Sequence, residues 1–339
     1  MMVTARAGLA ARVLRGIGDP ALPAAQWRAL LDRGDTREVF LTREWLDAWW
    51  RCHPRGRILP VLVLRDGVPV LMAPFFAEAG MVFFCGAGSA DYLDLLGDVT
   101  DTGAVGTALA AARAATAGFV GFRLHHVPDG SRTADALRGA ATVLGLDLVD
   151  EGTMDAPYVD LAADAVSPRP AAHRRSLVRH ERGLARCGEL SVVHDRAPTA
   201  DDLEPFFAQH VRRWAGTPYP SAFTAPGCRA FFRAVAAAGA AHGWVVFTTV
   251  RWNGTAVAFH LGFDFAGSLL WYKPSFDPAY AARSPGEVLL RRLLLLAREI
   301  PGCTRFDFGI GDEAFKYRFA TGVRTVRTWG LYPLGPRTG

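Results

Sequence analysis

Two dipeptides do most to restrict what this chain can fold into: Asp66-Gly67 and Asn253-Gly254. Each stands between two β-rich runs, ILPVLVLRDG and VPVLMAPFF in the first case, WVVFTTV and TAVAFHLGF in the second. Asp-Gly and Asn-Gly tolerate positive φ at both turn positions, so they close two-residue hairpins whose twist matches the flanking strands. Antiparallel strand pairs are therefore expected in both halves of the chain. Helical runs alternate with them, at 43–52 behind the N-cap residue Thr42, at about 103–117, 131–144, 171–187, 199–214 and 225–241, and in GEVLLRRLLLLAREI. The alternation predicts a mixed α/β (α+β) fold in which each half is a mixed, mostly antiparallel sheet flanked by helices.

With 339 residues, 50% of them hydrophobic and 21% charged, the chain can bury two cores. The Pro-, Asp- and Ala-rich tract at 151–172 is the expected crossing between halves. It gives an N-terminal arm at 1–38, a first domain at 39–165 and a second at 166–339. Cys52, Cys85, Cys187, Cys228 and Cys303 are scattered, with no CxxC pair and no His partner at metal spacing. Neither a disulfide framework nor a metal site is indicated, and a reducing compartment fits. No apolar run approaches the roughly 18 residues that cross a bilayer, and LLLLA at 293–297 follows Arg291 and Arg292 directly. The N-terminal MMVTARAGLAARVLRG has arginines spread through it, unlike a secretory signal. A cytoplasmic protein with no membrane partner is expected. The net charge of +5 favours an anionic partner, with coenzyme phosphates, RNA and an acidic metabolite all open.

Three stretches carry candidate chemistry. Residues 306–319 read FDFGIGDEAFKYRF: Phe306, Phe308 and Ile310 alternate with Asp307 as on a half-buried strand, and Gly309 and Gly311 bend the chain. A helix over 312–320 then sets Phe315 and Phe319 on one face and Lys316 and Tyr317 elsewhere. In TAVAFHLGF, Ala256, Ala258, His260 and Gly262 share one strand face. Such small neighbours leave His260 room to meet a ligand, where it would take a proton from an attacking ammonium, a role worth ~10²–10⁴ in rate. The other reading of His260 is a core histidine satisfied by a backbone carbonyl. Arg175, Arg179, Arg182 and Arg186, spaced four, three and four apart, form one basic stripe. That stripe is either a solvated face or an anion-binding surface for an acidic substrate, a carrier protein or tRNA.

The element order of the second half, β-α-α-β-β-β-α-β-α-β, resembles the GNAT acyltransferase fold. The motifs FLTREWLDAWW (40–50), SADYLDLL (89–96), HRRSLVRHERGLARCG (173–188), HVRRW (210–214), YKPSFDPAYAARSPGEVLL (272–290) and FDFGIGDEAFKYRF, taken in that order, resemble its CelD-like acetyltransferase branch. That branch is related to the Fem peptidoglycan aminoacyltransferases. The resemblance spans roughly residues 40–330 and implies two GNAT-like halves, the second with the more intact active site.

What the resemblance implies for the site is specific. Arg283, Ser284 and Gly286 fall on the coenzyme A diphosphate loop, where N–H groups at a helix start face the anion. Val288 departs from the small residue of that loop, and Pro285 is equally a plain helix start. Lys316 falls where the Fem-like enzymes stabilise the charge of the acyl-transfer intermediate, and Tyr317 where GNAT enzymes protonate the departing thiolate. Asp307 would hold a substrate amine or orient His260. His210, Arg213, Trp214, Tyr272 and Asp277, with Arg175 and Arg179, are candidates for the acceptor side. The expected function is transfer of an acyl group, acetyl first of all, from acyl-CoA as co-substrate to an amine of a small molecule or sugar by direct attack, without a metal. Aminoacyl transfer from charged tRNA, as in the Fem enzymes, is the alternative. A non-catalytic protein that uses the same cleft to bind a ligand is the third reading.

Overall fold

The computed structural model describes residues 2–4, 8–217 and 220–334, and the chain divides into two compact units. Unit 1 comprises Met1–Asp155 with Arg324–Gly339, and unit 2 comprises Ala156–Val323.

In unit 1 the strands Leu9–Val13, Arg57–Arg65, Val68–Glu78 and Met81–Phe84 pair antiparallel in sequence order. Met81–Phe84 then runs parallel to Gly121–Pro128, which pairs antiparallel with Val326–Leu331. Asp66 and Gly67 both have positive φ, as a two-residue hairpin requires. Four helices, Ala24–Arg33, Arg43–Cys52, Thr102–Ala115 and Thr133–Leu144, flank this sheet. The Thr42 hydroxyl accepts the Trp45 N–H at 3.3 Å and starts the second of them, which buries Trp45 and Trp49.

Two segments lie elsewhere than the sequence suggested. The expected arm at 1–38 contributes the strand Leu9–Val13 and the helix Ala24–Arg33, with Trp27, Leu30 and Leu31 buried; Met1 and residues 5–7 lie outside the described residues. The unit boundary falls at 155/156, and the chain returns to unit 1 at 324, whereas a crossing near 165 with no return was expected. The Pro-, Asp- and Ala-rich tract forms the short helix Leu161–Ala165 and a turn at Ala171–His173. Leu161, Ala171 and Ala172 are buried in the core of unit 2, so this tract is structural and not a linker.

In unit 2 the strand order is Leu190–Asp195, Val245–Trp252, Thr255–Phe265, Ser268–Phe276, Arg305–Asp307 and the end of Leu146–Asp160. All neighbours are antiparallel except Ser268–Leu270 with Arg305–Asp307. One face is covered by the helices Arg175–Arg186 and Pro285–Glu299: Leu177, Leu184, Leu289, Leu293 and Leu294 pack with Val246, Ala258, Leu269, Trp271 and Phe306. Each leucine so buried contributes roughly 1.5–3 kcal/mol, which fixes the helix Pro285–Glu299 to the sheet. The other face carries the helices Ala200–Trp214 and Cys228–His242, whose Phe206 and Phe232 meet Phe247, Phe259 and Tyr272.

Two irregularities matter for function. The parallel pairing stops at Leu270 opposite Asp307, while the strand continues to Phe276 beside Ala258–Leu261, so the sheet forks there. One residue further, the register shifts between Leu261 and Phe263, leaving Gly262 opposite both Trp271 and Tyr272 as a β-bulge. Beyond the fork, the helix expected over 312–320 is a single turn, Ala314–Tyr317.

Candidate active site

The chain leaving the fork is organised by one acid and one base. Asp307 is fully buried and its Oδ1 accepts the Gly309 N–H at 2.8 Å. Phe315 packs edge-on against Phe308, and Phe319 is buried in the core, which turns Lys316 inward. The Lys316 ammonium, 3% exposed, donates to Ile310 O at 2.7 Å and lies 3.4 Å from both Gly309 O and Gly311 O. Glu313 Oε2 sits 2.7 Å from the same nitrogen. Lys316 is therefore the internal cation of the loop 309–313, and Asp307 and Lys316 are brought together. Tyr317 is 40% exposed and lies on the outside of the turn.

His260 is elsewhere. Its ring stacks on Trp271, centres 5.2 Å apart and planes 18° apart, and Trp271 packs on Phe306. Asp307 follows Phe306 on an extended strand and so points to the opposite face. The open space expected over Ala258 is filled, because Ala258 belongs to the same buried cluster as Trp271, Val288 and Leu289. The small residue at 262 serves the imidazole itself: a Cβ there would overlap the His260 ring. Burial, with the nearby His194 adding to it, pushes His260 down to about 3, so it is neutral. It does not converge with Asp307 and Lys316, and a general-base role for it is withdrawn.

Residues 171–317 match the acetyltransferase (GNAT) domain family model. Unit 2 carries a GNAT acyltransferase domain. On that ground the chain is a transferase. Solved structures share the fold along nearly the whole chain. A FemX crystal structure superposes with a TM-score of 0.64 at 12% identity, covering 92% of this chain and 96% of that one. The L-PGS structure from Bacillus licheniformis gives 0.59 at 13%, covering 93% and 94%. A tandem GNAT protein from the clavulanic acid biosynthesis pathway gives 0.53 at 14%, covering 96% and 99%. No curated protein matches the chain significantly.

At the start of the helix Pro285–Glu299, the GNAT domain differs from a bare phosphate cradle. Ser284 is left-handed, φ 54°, and Pro285 opens the helix. Gly286 allows close approach, since a Cβ there would stand 3.2 Å from the Phe276 ring. Val288 is fully buried in the core, away from any surface anion. The Arg283 guanidinium lies over Trp252, 4.4 Å from the ring centre. Sequence reading passed over Glu287, whose carboxylate accepts from His180 Nδ1 at 2.6 Å and from Arg318 at 3.2 Å. The first helical turn thus already holds an anion of its own.

On the other face, the acceptor-side candidates of the GNAT domain group around the helix Ala200–Trp214. His210 is buried between Phe206 and Phe223, with Nδ1 2.8 Å from Ser221 Oγ. Burial first, then the positive charge of Lys273, pushes it down to about 3. Arg213 lies over both Trp214 and Phe276. Tyr272 is buried against Phe232 and Phe263, with the Lys273 ammonium 4.2 Å from its ring centre. Lys273 was not singled out from sequence; its signal was the Tyr-Lys pair that opens the YKPSF motif. Asp277 caps the turn 278–283 through the Ala279 N–H and pairs with Arg212 at 3.3 Å. Arg175 and Arg179 are exposed, as are Arg182 and Arg186. An open cavity of about 570 Å³ lies beside Phe223, Arg229 and Arg233 and is lined by none of the expected site residues. Among the described residues, no group of three or more His, Cys, Asp or Glu is placed to hold a metal ion, and no helix is long and apolar enough to cross a membrane.

Proposed function

We propose that the GNAT domain transfers an acyl group, acetyl in the first instance, from acyl-CoA to an amine of a small molecule or sugar. The observation that carries this reading is the fork at Leu270 and Asp307, with a buried carboxylate and a buried ammonium on the loop leaving it. Past the fork, no strand among the described residues pairs with residues 271–276 on the side of Arg305–Asp307. An extended amide-bearing chain laid along that edge gains backbone hydrogen bonds. Its phosphates would lie toward Ser284 and Gly286, at the helix start that follows the same strand.

In this mechanism the amine nitrogen attacks the thioester carbon and the carbonyl oxygen becomes negative. The C–S bond then breaks. The Asp307 carboxylate draws the ammonium end of the acceptor toward the fork, and the ammonium gives one proton to solvent before it attacks as the neutral amine. Lys316, whose protons are engaged by the loop, supplies its positive charge through that loop to the developing oxyanion. Tyr317, at the exposed side of the turn, is the residue assigned to protonate the thiolate, and the proton released from the amine leaves to solvent. His210, Arg213, Trp214, Tyr272 and Asp277 are assigned to the acceptor side. None of the five cysteines is in a disulfide, which supports a reducing, cytoplasmic setting.

One observation favours the second reading, aminoacyl transfer from charged tRNA. The Glu287 carboxylate occupies the helix start where a coenzyme diphosphate would lie, and the exposed stripe Arg175, Arg179, Arg182 and Arg186 offers phosphate contacts. Thermal shift with acetyl-CoA, longer acyl-CoAs and total tRNA separates the readings, because a ligand at 100 times its Kd adds ~2.7 kcal/mol. A shift with an acyl-CoA is the expected result. A shift with tRNA alone moves the assignment to the second reading, and none with any donor leaves a binding protein without catalysis.

A further inference from the structure

Among the described residues, His260 is the one fully buried histidine that the proposed mechanism leaves unused, and its contacts assign it a different task. At the bulge, two residues of the strand Ser268–Phe276 stand opposite Gly262, so the backbone groups around Leu270–Tyr272 fall out of ladder register. A buried backbone N–H left without a partner is costly, because it gives up its bond to water and gains none in return. His260 Nε2 takes the Tyr272 N–H at 3.2 Å. The same edge of the ring lies next to Leu270 O, since a Cβ built on Gly262 would touch both. The imidazole thus fills the volume that Gly262 vacates and joins the backbone on the two sides of the bulge, one residue from the end of the parallel pairing.

One further contact fixes the ring in that place: Trp271 stacks on it with planes 18° apart. Nδ1 is buried and without a hydrogen-bond partner, so the ring is oriented by Nε2 and by stacking. We propose that His260 is a positioning residue: through the Tyr272 N–H it staples the bulge and so sets the direction in which the open edge 271–276 leaves the fork. This rests on the acyl-donor reading only in what that edge binds. The staple itself is a property of the fold.

Two full-length variants, measured against wild type, test it: His260→Gln, which keeps an acceptor near Nε2, and His260→Leu, which keeps bulk alone. Amide hydrogen exchange at Tyr272 reads the staple directly, and acetyl-CoA affinity reads its consequence. His260→Leu is expected to speed Tyr272 exchange at least tenfold and to weaken acetyl-CoA at least tenfold, with His260→Gln restoring most of both. The pH dependence of acetyl-CoA binding between pH 5 and 8 is expected to be the same in His260→Gln as in wild type. Tyr272 exchange unchanged in His260→Leu overturns the proposal, and so does loss of binding in His260→Gln with the amide still protected. If wild type binds no acyl-CoA, the donor reading fails while the exchange result still decides the staple. Should His260→Leu not fold, Gly262→Ala, which displaces the ring without removing it, is measured by the same exchange readout.

Discussion

Asp307 and Lys316 hold the same residue from its two ends: the carboxylate takes the Gly309 N–H at 2.8 Å while the ammonium stands 3.4 Å from the Gly309 carbonyl oxygen. Nine positions separate them in the chain, and both are buried. A negative group at the donor end of one peptide segment and a positive group at its acceptor end reinforce the local dipole and pin the loop.

Lys316→Met should therefore damage two things at once. Stability should fall by roughly 1–3 kcal/mol, because Ile310 O loses its buried donor. Acyl transfer should fall at least a hundredfold. Urea unfolding and a single-turnover assay measure the two separately, and a variant with full activity removes Lys316 from the proposed chemistry.

Gly262→Ala should be among the most damaging small substitutions in unit 2. The added methyl has no room beside the His260 ring, and forcing it in costs typically 1–3 kcal/mol. A chemical-denaturation midpoint equal to that of wild type would contradict the packing described here.

Acid should weaken unit 2 well before carboxylates titrate. His210 and His260 are pushed down to about 3 by burial, against about 6.5 in the unfolded chain. The unfolded state binds these protons first, so their stability is complete above pH ~6.5 and is lost as pH falls toward ~3, at up to ~1.4 kcal/mol per unit for each histidine. Unfolding measured from pH 7 to 4.5 should show this slope, and His260→Gln should reduce it by one proton. In unit 1 the sign is opposite for Asp94, raised by burial despite hydrogen bonds from Thr36 and Thr133. Its protonation on acidification favours the folded state.

Glu287→Gln tests the helix start. Removing the carboxylate breaks the ion pairs with His180 and Arg318 and takes a negative charge away from the first turn of Pro285–Glu299. Acyl-CoA affinity is expected to rise several-fold, read by calorimetry. Unchanged affinity means the donor's phosphates lie elsewhere.

Legibility in the sequence followed locality. Both hairpins could be read because Asp66-Gly67 and Asn253-Gly254 need positive φ within two residues. The strand at 305–307 and the shared face of Phe315 and Phe319 were legible from spacing alone, though the helix expected after the strand is a single turn. Asp307 and Lys316 were picked as site residues, yet Gly309 as their common partner was invisible, since only the folded loop joins them. His260 misled because a row of small residues has two meanings, room for a guest or room for the ring itself, and strand periodicity does not reveal a bulge. Glu287 was missed because the motif drew attention to glycine and arginine, while the carboxylate's partners, His180 and Arg318, come from distant segments. The N-terminal segment carried no turn signal strong enough to mark Leu9–Val13 as a strand, and its partner lies some fifty residues on.

The Lys316 ammonium has a kinematic consequence. A cation wrapped by the carbonyls of residues 309–311 and by Glu313 cannot swing toward a guest without dragging its wrapping along. These contacts tie the segment from Gly309 to Lys316 together, so a shutting of the fork that keeps them would hinge at its flanks, Phe308 and Tyr317, with the lysine carried as a passenger.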